Sequence, residues 1–256
     1  MLDSSWELHA AGAFPAFSSF LAGSQLAGRG RFGRAWASPP GHVYASLRLP
    51  LAPPFEGSAA SVAFALFLSL ALEDVLGLRF SIKWPNDLLL DGRKAGGILL
   101  ENRRGALMAG IGLNLGAPPE LPPGRDPGAP PPGAIPEARL SGRGGPTGLW
   151  KELVKCVLLR YNDSFVTRDH ASVGTGRPER PARVPPGFAV LLDAASSRLH
   201  GLGGRVRVER PCPQARPGET SLTGRIVGLD AAGALLVETR EGIRALWSGT
   251  LLSPPA

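Results

Sequence analysis

The sequence predicts an α+β domain followed by a small all-β module. The chain has 256 residues, more than one typical domain, and 43% of them are hydrophobic, which is enough for a sizeable core. Segments with helical and with strand periodicity are interspersed in residues 1–200, whereas only short strand-like segments follow. We therefore expect one large domain over residues 1–200 and a second domain over residues 201–256.

The first half of the chain contains the best-defined elements. The spacing of apolar residues predicts strands at 42–50, 80–84, 87–90, 95–102 and 106–115 and a largely buried helix at 59–78. The sequence Asp91-Gly92-Arg93-Lys94 separates two of these strands, and Asp-Gly is a strong hairpin signal. Glycines in the strand at 106–115 indicate that another group approaches its backbone closely.

The second half of the chain is less regular. Residues 116–148 are rich in Pro and Gly and predict a long loop, and residues 167–186 predict a second loose segment. Helical spacing returns at 149–166 and again at 188–199. After Gly203, four short alternating segments predict the strands of an SH3-like barrel of about fifty residues.

Charge and hydropathy narrow the possible functions. The formal net charge is +7, but the basic residues are scattered and no exposed stacking aromatics are evident, which argues against a nucleic-acid-binding protein. Only four of the 28 basic residues are lysines, namely Lys83, Lys94, Lys151 and Lys155. Because arginine supplies most of the positive charge, a lysine in this chain indicates a specific role more strongly than usual. Without an export signal or an apolar span of about 20 residues, we expect a cytoplasmic protein with no membrane contact.

The most unusual segment is GRGRFGRAWASPPG, which runs from Gly28 to Gly41. It matches G-x-G-x-x-G, but Pro39-Pro40 prevents the long helix that a dinucleotide fingerprint requires, so that interpretation fails. A glycine-rich turn flanked by Arg29, Arg31 and Arg34 can bind an anion instead. The alternative is a solvated basic loop, because loops of this composition are common.

A second segment, SIKWPNDLLLDGRKAGGILLE over Ser81–Glu101, favours the anion site. Asn86 and Asp87 follow a proline at a strand end, where their oxygens suit a hydrated Mg²⁺ or the proton of a nucleophile. Lys94 lies just past the predicted hairpin tip. Taken alone it would be interpreted as a surface lysine.

Together these segments resemble the biotin protein ligase family in sequence and order. The matching blocks are Gln25 with AGRGRFGRAWASPPG, the tetrapeptide from Tyr44 to Leu47, KWPNDL from Lys83, Arg93-Lys94, GILLE from Gly97, and GIGLN from Gly110. The resemblance implies a ligase domain with a mixed sheet and flanking helices, similar to class II synthetases, and it covers nearly the whole chain. It also implies MgATP-dependent formation of biotinoyl-AMP from biotin, then transfer of biotin to a lysine of a biotin carboxyl carrier domain.

The resemblance implies roles for individual residues. The catalytic set would be Lys94, Arg31, Arg29, Asp87 and Lys83, with Lys94 bridging the biotin carboxylate and the phosphate and Asp87 also a candidate Mg²⁺ ligand. The biotin-binding set would be Ser4, Ser5, Gln25, Gly28, Arg29, Gly30, Arg31, Lys94, Gly97, Gly110 and Gly112. The nucleotide-binding set would be Arg29, Arg31, Arg34, Trp36, Asn86, Lys94 and Asn114, although Trp36 and Trp84 also suit a packing role.

One departure from the family pattern and several alternatives stand beside this interpretation. Ser5-Trp6 replaces the family's Thr-Asn, which weakens the assignment of Ser4 and Ser5. A lipoate or other acyl-protein ligase is the nearest alternative, and tight binding of biotin without lipoate would exclude it. The chain starts close to the ligase domain, so we expect no specific DNA binding. The resemblance also implies that the acceptor belongs to a biotin-dependent carboxylase and that the chain can form a homodimer, as relatives do.

Overall fold

The structure is a computed structural model that describes residues 1–120, 129–166, 186–212 and 221–252. Its helices are α1 Leu2–Ala10, α2 Ala60–Leu76, α3 Gly145–Tyr161 and α4 Pro186–Ser197. Its strands are β1 Ser19–Ala22, β2 Val43–Leu49, β3 Ser81–Lys83, β4 Asp87–Leu90, β5 Arg93–Arg103, β6 Ala106–Leu113, β7 Arg205–Cys212, β8 Ser221–Leu229, β9 Leu235–Thr239, β10 Gly242–Leu246 and β11 Ser248–Leu252. The predicted α+β class is confirmed.

The main sheet has six strands in the order β1-β2-β6-β5-β4-β3, and each neighbouring pair is antiparallel. The expected mixed sheet is therefore wrong for the described strands. The physical reason is the length of the connections, because tight turns join β4 to β5 and β5 to β6 and a tight turn permits only antiparallel pairing. Parallel pairing occurs in the described chain at single bridges such as Ile82 to Leu199.

Two-residue turns fix the register of the central strands. Asp91 and Gly92 have φ angles of 50° and 72°, and Arg104 and Gly105 have 50° and 73°. Two successive positive φ values are typical of the type I′ turn, whose twist matches that of paired strands. The predicted hairpin is confirmed with a shorter tip, so that Lys94 belongs to β5.

Helix α2 forms the centre of the core on one face of the main sheet. It is apolar on nearly all sides, as predicted, and Phe64, Leu68 and Leu72 are fully buried. Gly77 ends the helix with a φ of 66°, where a residue with a side chain would be strained. Helix α3 begins four residues before the predicted start at 149, because Pro146 occupies its first turn, a favourable position for proline.

The C-terminal module is a five-stranded antiparallel sheet in the order β10-β9-β8-β7-β11, which confirms its all-β character. It packs on the large domain: the indole of Trp84 donates a hydrogen bond to the carbonyl of Gly233 at 3.2 Å, and Ser58 Oγ donates to the carbonyl of Ala232 at 3.1 Å. The boundary between residues 200 and 201 stays a prediction. None of the helices described is long and apolar enough to cross a membrane.

The long loop predicted at 116–148 is only partly described. Its described part contains a 3₁₀ turn at Glu137–Arg139. Single bridges attach this part to the sheet, one from Pro132 to Lys94 and one from Ile135 to Leu115. Residues 121–128, and residues 167–185 of the second loose segment, lie outside the described residues. Helix α1 and strand β1 were not predicted, because α1 buries only Leu2 and Ser5 and has little apolar periodicity.

Candidate active site

A cavity of about 590 Å³ opens between the main sheet, the glycine-rich loop and strand β11. Fourteen of the predicted site residues line it: Gln25, Arg29, Gly30, Arg31, Arg34, Trp36, Lys83, Asn86, Asp87, Lys94, Gly97, Gly110, Gly112 and Asn114. Its position follows from topology, since β5 and β6 form the middle of the sheet and β11 of the C-terminal module closes one side. The structure therefore brings together residues that are far apart in sequence.

Three glycines of the sheet, Gly97, Gly110 and Gly112, form the bottom of the cavity, and we call them the glycine floor. Gly97 pairs with Gly112 across the ladder. A Cβ atom at Gly112 would lie 2.6 Å from the indole of Trp36, and one at Gly97 would lie 2.9 Å from it. A flat ring can thus lie directly on the backbone of the sheet, and in this structure that ring is Trp36.

Residues Gln25–Ser38, which we call the ligand loop, fold into a narrow ribbon. The amide of Gln25 bonds the carbonyl of Ser38 at 3.2 Å, that of Trp36 bonds Gly28 at 2.9 Å, and that of Gly30 bonds Arg34 at 2.8 Å. Gly28 allows the close approach of the two sides, because a Cβ there would lie 2.3 Å from the carbonyl oxygen of Trp36. Gly28 does not itself line the cavity but shapes the loop that does.

Each arginine of the ligand loop contacts a different neighbour. Arg29 binds Asp3 at 2.8 Å and lowers the pKa of that carboxyl. Arg31 donates to Oδ1 of Asn86 at 3.3 Å, and burial lowers its pKa against the opposing effect of Asp87. Arg34 donates to Thr250 Oγ1 at 3.3 Å. Three guanidinium groups therefore surround the cavity, and the half-buried one, Arg31, would interact most strongly with an anion.

Lys94 adds an ammonium group to the same cavity. Its Nζ atom lies 2.7 Å from Oδ1 of Asp87 and 5.2 Å from the ring centroid of Trp36. Its backbone holds the described end of the long loop, since its amide bonds Pro131 at 2.7 Å and its carbonyl accepts from Gly133 at 2.9 Å. Lys94 is therefore a cavity residue, unlike the surface lysine of the alternative interpretation.

Two buried polar atoms of the cavity lining lack a hydrogen-bond partner among the described residues. They are Nε1 of Trp36, a donor, and Oδ1 of Asn114, an acceptor. The amide nitrogen of Asn114 already donates to Gly133 at 2.8 Å and to Lys94 at 3.3 Å. An unpaired buried polar atom is unfavourable by about 1–3 kcal/mol, so both atoms suit contacts with a bound molecule.

Besides Gly28, the predicted site residues that the structure does not place in the cavity lining are Ser4 and Ser5. Ser5 is fully buried, and its hydroxyl bonds that of Ser46 on β2. Residues that the sequence analysis did not assign also line the cavity, notably Leu2, Asp3 and Thr250. No motif indicated them, because their place depends on how α1 and β11 pack on the sheet.

Comparison with known proteins identifies the family. The sequence profile described as "Biotin/lipoate A/B protein ligase family" matches residues 17–117, and the one described as "Biotin protein ligase C terminal domain" matches residues 201–250. The chain is 34% identical over 233 residues to the biotin–[acetyl-CoA-carboxylase] ligase of Paracoccus denitrificans, covering 87% of this chain and 84% of that protein. The chain belongs to the biotin protein ligase family.

Two further members of the biotin protein ligase family agree with this assignment. The bifunctional ligase/repressor BirA of Bacillus subtilis is 28% identical over 242 residues, which cover 90% of this chain and 64% of that protein. The structure of the biotin protein ligase from Aquifex aeolicus in complex with biotin and ATP superposes with a TM-score of 0.65 at 25% identity, covering 93% of this chain and 88% of that one. The region that the first profile matches includes the ligand loop, the glycine floor and Lys94, and the region that the second profile matches includes Thr250.

Proposed function

We propose that this chain is an ATP-dependent biotin protein ligase. It would join biotin and ATP to form biotinoyl-5′-AMP and pyrophosphate, and then transfer biotin to a lysine of a biotin carboxyl carrier domain. Membership of the family supports this. The observation that carries it is the convergence of Arg31, Lys94 and Arg29 on one cavity above the glycine floor.

The first step joins two anions. A carboxylate oxygen of biotin attacks the α-phosphorus of ATP, a new P–O bond forms, and the bond to pyrophosphate breaks with both electrons leaving on pyrophosphate. Negative charge that develops on the phosphate must be neutralised by cations already in place. Lys94 and Arg31 are suited to this, because Asp87 and Asn86 hold their side chains in the cavity.

Magnesium would bind on the side of Asp87. Among the described residues there is no cluster of three or more metal-binding side chains, so a cage made of protein alone does not fit. Mg²⁺ usually retains waters and uses one or two carboxylates together with substrate phosphates, and Asp87 with the adjacent Asn86 fits that mode. When bound, the ion would neutralise phosphate charge.

The second step needs a deprotonated lysine from the acceptor. Its amine attacks the acyl carbon, AMP leaves, and the amine loses a proton. Asp87, a carboxylate of the cavity wall, is our candidate to accept that proton, and Lys83 would be a neighbouring cation. The mixed anhydride must meanwhile be protected from water. The ligand loop, whose Trp36 lies on the glycine floor, is suited to that task.

The two substrates would share the cavity. Gln25 would bind the ureido group of biotin over Gly110 and Gly112, and the nucleotide would contact Arg34, Trp36 and Asn114. The unpaired Oδ1 of Asn114 suits a base amino group. Direct contacts from Ser4 and Ser5 stay predictions, since both residues lie outside the cavity lining.

The acceptor is proposed to be the carrier domain of a biotin-dependent carboxylase. The name of the Paracoccus denitrificans relative refers to acetyl-CoA carboxylase, which makes that enzyme's carrier domain the first acceptor to test. The expectations of a homodimer, of cytoplasmic location and of no specific DNA binding stay predictions.

The function is tested by incubating the protein with biotin and ATP labelled at the α-phosphate, without any acceptor. We expect labelled biotinoyl-AMP to remain bound to the protein and pyrophosphate to be released. A parallel incubation with lipoate should give no adenylate. Formation of lipoyl-AMP but not biotinoyl-AMP would support the lipoate alternative, and absence of both would contradict the proposal.

A further inference from the structure

Ser38 lies at the base of the ligand loop and is 8% exposed. Its hydroxyl has two hydrogen-bond partners. Nε2 of Gln25 approaches Oγ at 2.9 Å, and Oγ lies 3.1 Å from the carbonyl oxygen of Trp36. Ser38 therefore links a residue of the proposed biotin site to the backbone of the loop that covers it.

The directions of these two hydrogen bonds follow from the available protons. A serine hydroxyl has one proton, and a backbone carbonyl can only accept, so the hydroxyl of Ser38 donates to Trp36. Ser38 Oγ must then accept from Gln25, and an amide can donate only through its NH₂ group. The side-chain amide of Gln25 is therefore held with its nitrogen toward Ser38 and its oxygen turned away.

Close packing restricts the hydroxyl of Ser38. A Cβ atom added at Gly28 would lie 2.6 Å from Oγ of Ser38, so the hydroxyl lies directly against the backbone of the opposite side of the loop. The backbone bond from Gln25 N to Ser38 O also joins the same two residues. The side chain thus has little freedom to rotate away from Gln25.

The oxygen of the Gln25 amide is consequently an acceptor at the cavity. Gln25 lines the cavity, and none of the described residues donates a hydrogen bond to its Oε1. The ureido ring of biotin carries two N–H donors and one carbonyl acceptor. We propose that Ser38 is a positioning residue that orients Gln25 so that Oε1 accepts a hydrogen bond from a ureido N–H group.

This inference rests on the proposed function, since it takes biotin as the substrate, and it adds a basis for selectivity. A reversed Gln25 amide would place an N–H group against a ureido N–H group, leaving two donors without an acceptor. The dithiolane ring of lipoate has no N–H group to offer. Ser38 would therefore favour biotin over lipoate through Gln25 without touching the substrate.

The test is a double-mutant cycle on the adenylation step, with Ser38→Ala, Gln25→Ala and the double variant. Biotin-dependent pyrophosphate exchange is measured at saturating ATP. We expect Ser38→Ala to raise the KM for biotin about threefold to tenfold, the effect of one ordinary hydrogen bond, with kcat changed less than about twofold. In the Gln25→Ala background the same substitution should have no further effect.

A purely structural role for Ser38 predicts a different result. Its loss would then raise KM by the same factor with or without Gln25, and that additivity, or an unchanged KM in Ser38→Ala, would overturn the proposal. Ser197→Ala is the matched control, because Ser197 is exposed and its hydroxyl donates to Ala194 at 2.7 Å on α4. If the unmodified protein shows no biotin-dependent exchange, the proposed function itself fails. If it is active, the KM values of the variants test the role of Ser38 alone.

A second measurement does not depend on the folding of Ser38→Ala. Gln25→Glu supplies an acceptor but no donor, so it should raise the KM for biotin less than Gln25→Ala does. If Gln25 instead donated to the ureido carbonyl, the glutamate would repel that oxygen, and Gln25→Glu would be at least as damaging as Gln25→Ala. That order of effects would contradict the proposed orientation.

Discussion

The glycine floor and the ligand loop both depend on glycine, but for different reasons. In the floor, Gly97 and Gly112 lie in paired, buried strands, and their missing side chains leave room for a ring above the sheet. In the loop, Gly28 allows two backbone segments to approach, and Gly33 has a φ of 71°. The floor provides a fixed surface, whereas the loop provides a cover.

The same contrast holds for charge. The floor itself is uncharged, and Lys94 with Asp87 lies at its edge within the sheet. The loop brings three arginines, each attached to another element through a single side-chain contact with Asp3, Asn86 or Thr250. Because exposed contacts contribute little to stability, Arg29 and Arg34 can exchange theirs for a phosphate, whereas Asn86 holds the half-buried Arg31 at the cavity.

Lys94, the cation at the edge of the glycine floor, should have the strongest influence on the rate of adenylate formation. Lys94→Ala should slow adenylate formation about 10²–10³-fold, the usual consequence of removing a group that stabilises developing charge. Rates are measured by single-turnover formation of biotinoyl-AMP. Lys151→Ala, at an exposed lysine on α3, is the control and should be unaffected. A rate within threefold of the unmodified protein would refute the catalytic role of Lys94.

A substitution in the floor tests whether a flat ring must lie on it. In Gly112→Ala the new Cβ would overlap the indole of Trp36, whereas the ladder of β5 and β6 can remain intact. We expect KM for the substrates to rise about 10-fold to 100-fold with a nearly unchanged Tm. Gly23→Ala is the control, because nothing lies within 4 Å of a Cβ at that position. Equal KM values for the two variants would show that the floor is not a binding surface.

A substitution in the loop should act on retention of the intermediate. In Gly28→Ala the contact is with the backbone of Trp36, so the two sides of the loop must separate and lose about one hydrogen bond. We expect bound biotinoyl-AMP to be released or hydrolysed about threefold to tenfold faster, as measured by chasing labelled adenylate. Unchanged retention would mean that the loop does not act as a cover.

The smallest effect is on the pH dependence of stability beside the floor. Nδ1 of His42 accepts a hydrogen bond from the amide of Leu115 at 3.0 Å, and burial lowers the pKa of this imidazole below 6.5. The unfolded chain then binds more protons than the folded one, so stability is lost as pH falls below about 6.5, by at most about 1.4 kcal/mol per pH unit. We measure the free energy of unfolding by denaturant titration at several pH values between 7 and 5. It should fall less steeply with falling pH in His42→Gln than in the unmodified protein.

Local signals made part of this structure predictable. Asp91-Gly92 located a hairpin because both residues tolerate positive φ, and the apolar spacing of α2 identified a buried helix. Lys94 and the loop arginines were found through their motifs, and they do meet in one cavity. These features depend on a few neighbouring residues, which the sequence displays directly.

Features that depend on distant contacts were not predictable. Thr250 reaches Arg34 across 216 positions, and Ser38 acquires its partner only when the loop closes on Gln25. Ser5 shares a hydrogen bond with Ser46 on β2, 41 positions along the chain, while its expected contact with biotin stays a prediction. Motif spacing contains no information about such pairings, because they arise from the packing of whole elements.

In the proposed complex, the ligand loop and Lys94 hold the phosphate of an acyl-adenylate above the glycine floor. A crystal structure with biotinoyl-AMP bound tests it most directly. We predict that the phosphate lies within hydrogen-bond distance of Lys94 and of at least one of Arg29 and Arg31, with residues 28–36 folded over the intermediate. A structure in which residues 28–36 point into solvent and none of these cations contacts the phosphate would contradict the account.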